Sequence, residues 1–340
     1  MQKIYFRPAG LVYGPDARII LKEGRGASLG GLATIAYTLV EEIERNGASV
    51  SRRFISGALP RQTVLPSFLP GERPLVMGIV NVTPDSFSDG GLAADTQRAI
   101  AHGVQLAADG ADMLDIGGES TRPGSDGVPE DEELRRVIPV IEGLAARGHA
   151  VSVDTRKANV MRAALKAGAS MVNDVSALTY DPMAMEAMAS ASCPVVLMHA
   201  QGDPKTMQLS PHYDDVALDV HDWLEARIEA CVAAGIARAR IIADPGIGFG
   251  KSFRHNLDVL RQFTLFHGLG VPLLMGLSRK GFIGALTGET VAGHRVHGST
   301  GGALWSWLNG AHILRVHDVQ ATVAALAVAG AAADPESSGI

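Results

Sequence analysis

From about residue 74 onward, short apolar runs end one after another on residues that hydrogen-bond or carry charge. Successive runs end at Asn81, at Asp115, at Asp154-Thr155-Arg156, at Asn173-Asp174 and at Met198-His199. Three more end at Asp244, at Ser278-Arg279-Lys280 and at Arg315-Val316-His317. Asp154, Asn173, Asp244 and Lys280 are two carboxylates, an amide and an ammonium, a hydrogen-bonding set that can meet only if their four runs converge. Arg315 and His317 stand two apart, so an extended backbone puts both on one face, where they suit an anion. Other segments exclude chemistry. Gly246-Ile247-Gly248-Phe249-Gly250-Lys251 has the spacing of neither a dinucleotide fingerprint nor a P-loop, so NAD and ATP are not implied. The histidines show no His-Glu-x-x-His metal spacing.

Such residues need a frame. Eight runs read as strands: Leu75–Val82, Asp112–Ile116, Ala150–Asp154, Ser170–Val175, Pro194–His199, Arg240–Asp244, Pro272–Leu277 and His312–Val316. Their near-continuous apolar character is that of parallel strands buried on both faces. Segments of helical period lie between them, such as Thr96–Ala108, Glu130–Ala146, Ala158–Ala167, Tyr213–Ala234 and Val319–Ala332. Eight βα units in about 260 residues predict an α/β fold, a (β/α)8 TIM barrel, with the polar strand ends at its active face. Residues 1–70 do not share the rhythm. They read as a small N-terminal α/β extension with strands at Ala17–Leu21 and Val50–Ile55 and a helix at Leu32–Arg45, followed by a proline-rich linker, Pro60–Pro74. The barrel domain is expected over 71–334, with 335–340 a disordered tail.

Composition narrows the partners. Thirty Lys and Arg against 36 Asp and Glu give a net charge of -6, with no electrostatic footprint for nucleic acid or an anionic membrane. The longest apolar stretch, Ala321–Ala333, is shorter than the ~20 residues that span a bilayer. Arg7 and Pro8 interrupt the N-terminal sequence where a secretory signal needs an apolar core. Two cysteines, Cys193 and Cys231, support neither a disulfide framework nor a four-thiolate zinc site, which fits a reducing cytoplasm.

The strand-end segments NVTPDSFSDGG, DIGGESTRPG, SVDTRK, NDV, LMH, DPGIGFGK, GLSRK and RVHD resemble, in order and one per strand, the motifs of the bacterial dihydropteroate synthase family. The resemblance covers residues 74 to about 332. It implies joining of 6-hydroxymethyl-7,8-dihydropterin pyrophosphate to 4-aminobenzoate, giving 7,8-dihydropteroate and pyrophosphate, in a homodimer that uses Mg2+. By the same resemblance, Asp154, Asn173, Met198, Asp244, Lys280 and Arg315 bind the pterin. Thr121, Pro123, Phe249, Gly276 and Ser278 receive 4-aminobenzoate, and Arg122, Arg315 and His317 hold pyrophosphate. Asn81 is the implied metal ligand, and Asp85 and Arg122 lie on loops that close over the substrates. Asp115, Glu119 and Asp174 read as residues that order loops, and Trp305, Trp307 and Leu308 as candidates for a dimer surface.

Two other functions fit part of this pattern: a corrinoid-dependent methyl-transfer module that binds a pterin, and a non-catalytic pterin-binding paralogue. The first has no need of Ser278-Arg279-Lys280 or Thr121-Arg122-Pro123. The second predicts losses among Asn81, Lys280, Arg315 and His317, and all four are present.

Overall fold

The computed structural model describes residues 2–82, 91–120, 125, 127–202 and 206–338. Eight parallel strands form the centre: β5 (Leu75–Asn81), β6 (Met113–Gly117), β7 (Val151–Asp154), β8 (Met171–Asp174), β9 (Val195–Met198), β10 (Ile241–Asp244), β11 (Leu274–Met275) and β12 (Ile313–Val316). Each pairs with its neighbour in the order β10-β9-β8-β7-β6-β5-β12-β11. A bridge from Ala243 to Leu273 closes the ring. Around it lie α2 (Gly91–Ala108), α3 (Glu130–Ala145), α4 (Ala158–Lys166), α5 (Ala184–Ser190), α6 (Val216–Ala233), α7 (Phe253–Arg261), α8 (Gly281–Thr287), α9 (Val296–Leu308) and α10 (Val319–Ala333). The predicted barrel is the observed one. Its seventh strand is only two residues long, because the chain leaves the sheet at Gly276 on its way to Arg279, whose φ of 60° is left-handed.

Every barrel strand is apolar on both faces, yet the two faces differ in kind. Odd-numbered residues of β6 alternate with even-numbered ones, and the outward set, such as Leu114, Ile116, Val151, Val153, Leu197 and Val316, packs under the helices. The inward set begins with a greasy layer of Leu75, Met77, Met113, Met171, Val196, Ile242, Leu274 and Ile313. Two residues further along, the same inward face turns polar on five of the eight strands, at Asp115, Asp154, Asn173, Asp244 and Arg315, whereas β5, β9 and the end of β11 place Ile79, Met198 and Gly276 there. The period of two therefore stacks a polar tier directly on an apolar one.

The N-terminal region departs from expectation. Its strands are β1 (Gln2–Tyr13), β2 (Ala27–Ser28), β3 (Ile35–Asn46) and β4 (Ser49–Ile55), and α1 spans Gly14–Lys22. The segment Leu32–Arg45, expected as a helix, is mostly β3. It pairs antiparallel with β1 over eleven positions, and that long ladder overrides a local pattern compatible with either structure. The expected strand Ala17–Leu21 lies in α1, which Pro15 starts by supplying a helical φ in the first turn. The long strand β1 was not expected at all.

This sheet docks on the barrel's flank. Tyr5 and Ile43 pack with Ala217, Leu218 and Leu265, and Lys3 donates to Asp222 and Glu225 at 2.6 and 2.8 Å. The supposed linker is a stopper: Leu69, with Leu65 and Phe68 beside it, packs against the apolar tier at the barrel's closed end. At the C-terminus, the tail expected to be disordered carries a 3-10 turn at Pro335–Ser338, and Asp334 before it accepts from Arg18. Among the described residues no helix is long and apolar enough to cross a membrane.

Candidate active site

A cavity of about 910 Å3 opens at the C-terminal ends of the strands. Asp154 and Arg315 of the polar tier line it. Arg315 leads in that tier: its Nε donates to Asp115 Oδ2 and its Nη2 to Asp154 Oδ2, both at 2.6 Å. Asn173 Nδ2 donates to the same Asp115 oxygen at 3.0 Å. Four strands are thereby tied by one guanidinium and one shared carboxylate. Asp115 is fully buried and orders no loop, contrary to the sequence reading. It fixes Arg315 and Asn173, and its Oδ1 has no partner among the described residues. The signal that could have identified it is parity, since Asp115 stands two residues after the inward Met113, as Asn173 stands two after Met171.

The other two acidic residues do order loops. Asp174 faces outward and accepts from the backbone N–H of Ser176 and Leu178 at 2.7 and 2.9 Å. Glu119 binds Arg156 and Lys157 at 2.8 and 2.9 Å and accepts from Val128 N.

Burial shapes the electrostatics of the tier. It pushes the Asp154 carboxyl well above its usual range, against the pull of Arg315, with Asp115 adding to the upward push. Burial likewise pushes Asp244 up to about 6, although Gly246 N–H donates to it at 2.7 Å and Lys280 and Lys251 oppose the rise. For Arg315 the attraction of Asp115 and Asp154 outweighs desolvation, and its pKa rises further. The guanidinium is therefore a permanent cation facing carboxylates whose protonation a ligand can bias.

Lys280 enters from the loop after β11 and completes one side of the cavity. Its Nζ lies 4.0 Å from the centre of the Phe249 ring, a cation–π arrangement. Arg279 holds this loop in place: it binds Asp318 through two guanidinium contacts and Ser299 Oγ through its backbone N–H at 2.9 Å. The left-handed φ of Arg279, worth about 1 kcal/mol or more of strain, aims the next residue inward. Sequence reasoning named Arg279 only as part of a motif, because strain is invisible in a residue type.

Gly276 lies beside Asp244 and Arg315. A β-carbon there would meet Asp244 Oδ2 at 3.8 Å and Arg315 Cβ at 3.9 Å, so any larger side chain would fill the space above the tier. Met198, 5% exposed, closes the tier on the β9 side. His317 lies just past the end of β12 and still lines the cavity. Its backbone N–H donates to Ser278 Oγ at 3.2 Å, and its Nδ1 lies 3.1 Å from the same hydroxyl. Asn81 lines the cavity at the end of β5. Asp85, Thr121, Arg122 and Pro123 lie outside the described residues.

The structure thus brings together Asn81, Asp154, Phe249, Gly276, Ser278, Lys280, Arg315 and His317 around one opening, with the buried Asp244 beside Gly276 and the buried Asn173 on the carboxylate that holds Arg315. It does not make Trp307 a surface residue. That ring is 6% exposed and packs in the layer between helices and barrel, whereas Trp305, half exposed, donates from Nε1 to Leu260 O at 3.1 Å.

Comparison with known proteins agrees with this geometry. The family described as pterin binding enzyme matches residues 77–317. The dihydropteroate synthase of Neisseria meningitidis serogroup B is 52% identical over 263 residues, which are 76% of this chain and 92% of that protein. The Escherichia coli K12 dihydropteroate synthase is 48% identical over 256 residues, 75% of this chain and 90% of that one. A Xanthomonas albilineans dihydropteroate synthase solved with 4-aminobenzoic acid superposes with a TM-score of 0.72 at 55% identity, covering 76% of this chain and 93% of that one. The structure of the X. albilineans enzyme with 7,8-dihydropteroate gives 0.70 at 53% identity, covering 76% and 94%. With the family model matching residues 77–317, and with relatives about half identical and matched over nearly their whole length, the chain belongs to the dihydropteroate synthase family.

Proposed function

We propose that this site joins 6-hydroxymethyl-7,8-dihydropterin pyrophosphate to 4-aminobenzoate in folate biosynthesis, with the pterin seated on the polar tier. The observation that carries the proposal is that Asp154, Lys280 and Arg315 line one cavity, with Asp244 beside its Gly276 and Asn173 bonded to the Asp115 that holds Arg315. An amino-pyrimidinone edge presents adjacent N–H donors and a carbonyl. Asp154 and Asp244 offer acceptors for those donors, and Lys280 offers a donor for the carbonyl. Arg315, already bonded along two of its edges, presents its plane for stacking on the ring.

In the reaction the methylene C–O bond to pyrophosphate breaks, a C–N bond to the aniline nitrogen forms, and the amine loses a proton. An aniline is neutral at pH 7 and needs no strong base, so the demand falls on the leaving group. His317 and Lys280 stand at the cavity wall to receive developing negative charge, and Arg122 is assigned the same task by resemblance. Mg2+, when bound, supplies further charge neutralisation to pyrophosphate. Asn81 would hold it, since its neutral amide oxygen lines the cavity and suits a cation that takes few protein ligands.

Phe249, Gly276 and Ser278 are assigned to 4-aminobenzoate, together with Thr121 and Pro123. Asp85 and Arg122 are assigned to the closing loops. Homodimerisation is also proposed, supported by the half-exposed Trp305 on α9 and the exposed Val328 on α10, as is a cytoplasmic location, supported by the two free thiols. Calorimetric titration of the pterin pyrophosphate into Asp244→Asn tests the seating. Replacing an acceptor by an amide should weaken binding by about tenfold or more, and unchanged affinity would contradict the assignment.

A further inference from the structure

The loop that carries Phe249 is held from beneath by a side chain not assigned to either substrate. Lys251 is 2% exposed, one of the largest fully buried side chains. Its Nζ donates to the carbonyls of Gly246 at 2.9 Å and Phe249 at 3.2 Å, and lies 2.9 Å from His199 Nδ1. Burial keeps the His199 ring neutral well into the acid range, so that nitrogen is free to accept from an ammonium. The two carbonyls bracket a tight turn, in which Phe249 N–H donates back to Gly246 O at 3.2 Å.

That turn has no slack. Gly246, Gly248 and Gly250 have φ of 69°, 83° and 60°. A β-carbon at Gly246 would come within 1.8 Å of His199 O, and one at Gly250 within 2.4 Å of Gln201 O. Tyr213 Oη donates to Gly250 O at 2.7 Å, and Asn256 Oδ1 accepts from Gly248 N–H at 2.7 Å. Around this frame the buried ammonium is, among the described residues, the one side chain that bonds both ends of the Gly246–Phe249 turn. Burial pushes its pKa down to about 7, so a cation here has a cost that its three acceptors must offset.

We propose that Lys251 is a positioning residue for 4-aminobenzoate: it fixes the Gly246–Gly250 backbone so that the Phe249 ring stands against Lys280 and forms a wall of the aromatic subsite. The proposal rests on the assignment of Phe249 to that substrate.

The test uses the full chain and compares Lys251→Met with Phe249→Ala. Steady-state KM is measured for each substrate, with calorimetry for the pterin pyrophosphate. Lys251→Met keeps the side chain's bulk and removes its donors. It should raise KM for 4-aminobenzoate about tenfold, as for the loss of a charge-assisted contact, while pterin affinity stays within about threefold. A rise confined to Phe249→Ala, or an equal loss for both substrates in Lys251→Met, would overturn the role of Lys251. An unchanged KM for 4-aminobenzoate in Phe249→Ala would instead refute the assignment on which it rests. Should Lys251→Met not fold, His199→Leu removes one acceptor alone. It should raise the same KM by a smaller factor, and no change there overturns the proposal.

Discussion

Arg315 concentrates the logic of the site at the scale of single residues. It was expected to meet pyrophosphate, and in the fold it is first the counter-ion of Asp115 and Asp154. Arg315→Ala would leave two buried carboxylates without their cation, a change of the kind that costs about 3–5 kcal/mol, so lost activity in that variant would say little about pyrophosphate. His317 is the cleaner probe. His317→Ala should weaken binding of inorganic pyrophosphate by roughly tenfold with little effect on 4-aminobenzoate, as read by calorimetry. Lys280→Ala should abolish turnover while far-UV circular dichroism stays native, because Lys280 serves the cavity wall and not the core. Asp244 adds a pH dependence. Burial puts it at about 6 and a bound pterin donor favours the ionised form, so pterin affinity should fall as pH drops through 6. Calorimetry from pH 5 to 8 checks the sign.

Strands and loops decided which of these residues were legible. The eight strands could be read from their apolar runs, and the polar ends named most of the site, because a parallel barrel strand keeps one composition along its length. Only parity within those runs separates the inward Asp115 from Glu119 and Asp174, and residue type alone does not show it. The N-terminal elements were misread for another reason. IAYTLVEEIERN supports either period locally, and its ladders with β1, about thirty residues earlier in the chain, and with β4 make it a strand. The docking of that region creates a second titration. His312 Nε2 donates to Gly30 O at 2.8 Å, and the ring meets His267 edge-on with ring centres 5.8 Å apart. Burial holds their pKa values at about 4 and about 3. An unfolded histidine takes up a proton near 6.5, so the native state binds fewer protons below that pH. The pair's contribution is complete above about 6.5 and is lost as pH falls towards 4. The buried carboxylates with raised pKa act in the opposite direction. The comparison to make is therefore the pH dependence of Tm in the native chain against His267→Gln: the fall below pH 6.5 should be shallower in the variant.

For the molecule as a whole, the N-terminal region is best understood through what it closes. About a quarter of the chain lies outside the match to its relatives, yet its linker supplies Leu69 to the bottom of the barrel and its sheet covers α6. Leu69→Ala should destabilise the barrel by about 2–4 kcal/mol, measured by urea denaturation, without moving KM for either substrate, since the closed end lies beyond the apolar tier from the cavity. The central claim is about the open end. It is tested most directly by incubating the purified chain with Mg2+, 6-hydroxymethyl-7,8-dihydropterin pyrophosphate and 4-aminobenzoate, and following pyrophosphate and 7,8-dihydropteroate together. The two products should appear in equal amounts, only when both organic substrates are present, and Lys280→Ala should form neither. Pyrophosphate release that does not depend on 4-aminobenzoate, or no dihydropteroate from the folded native chain, would contradict the account.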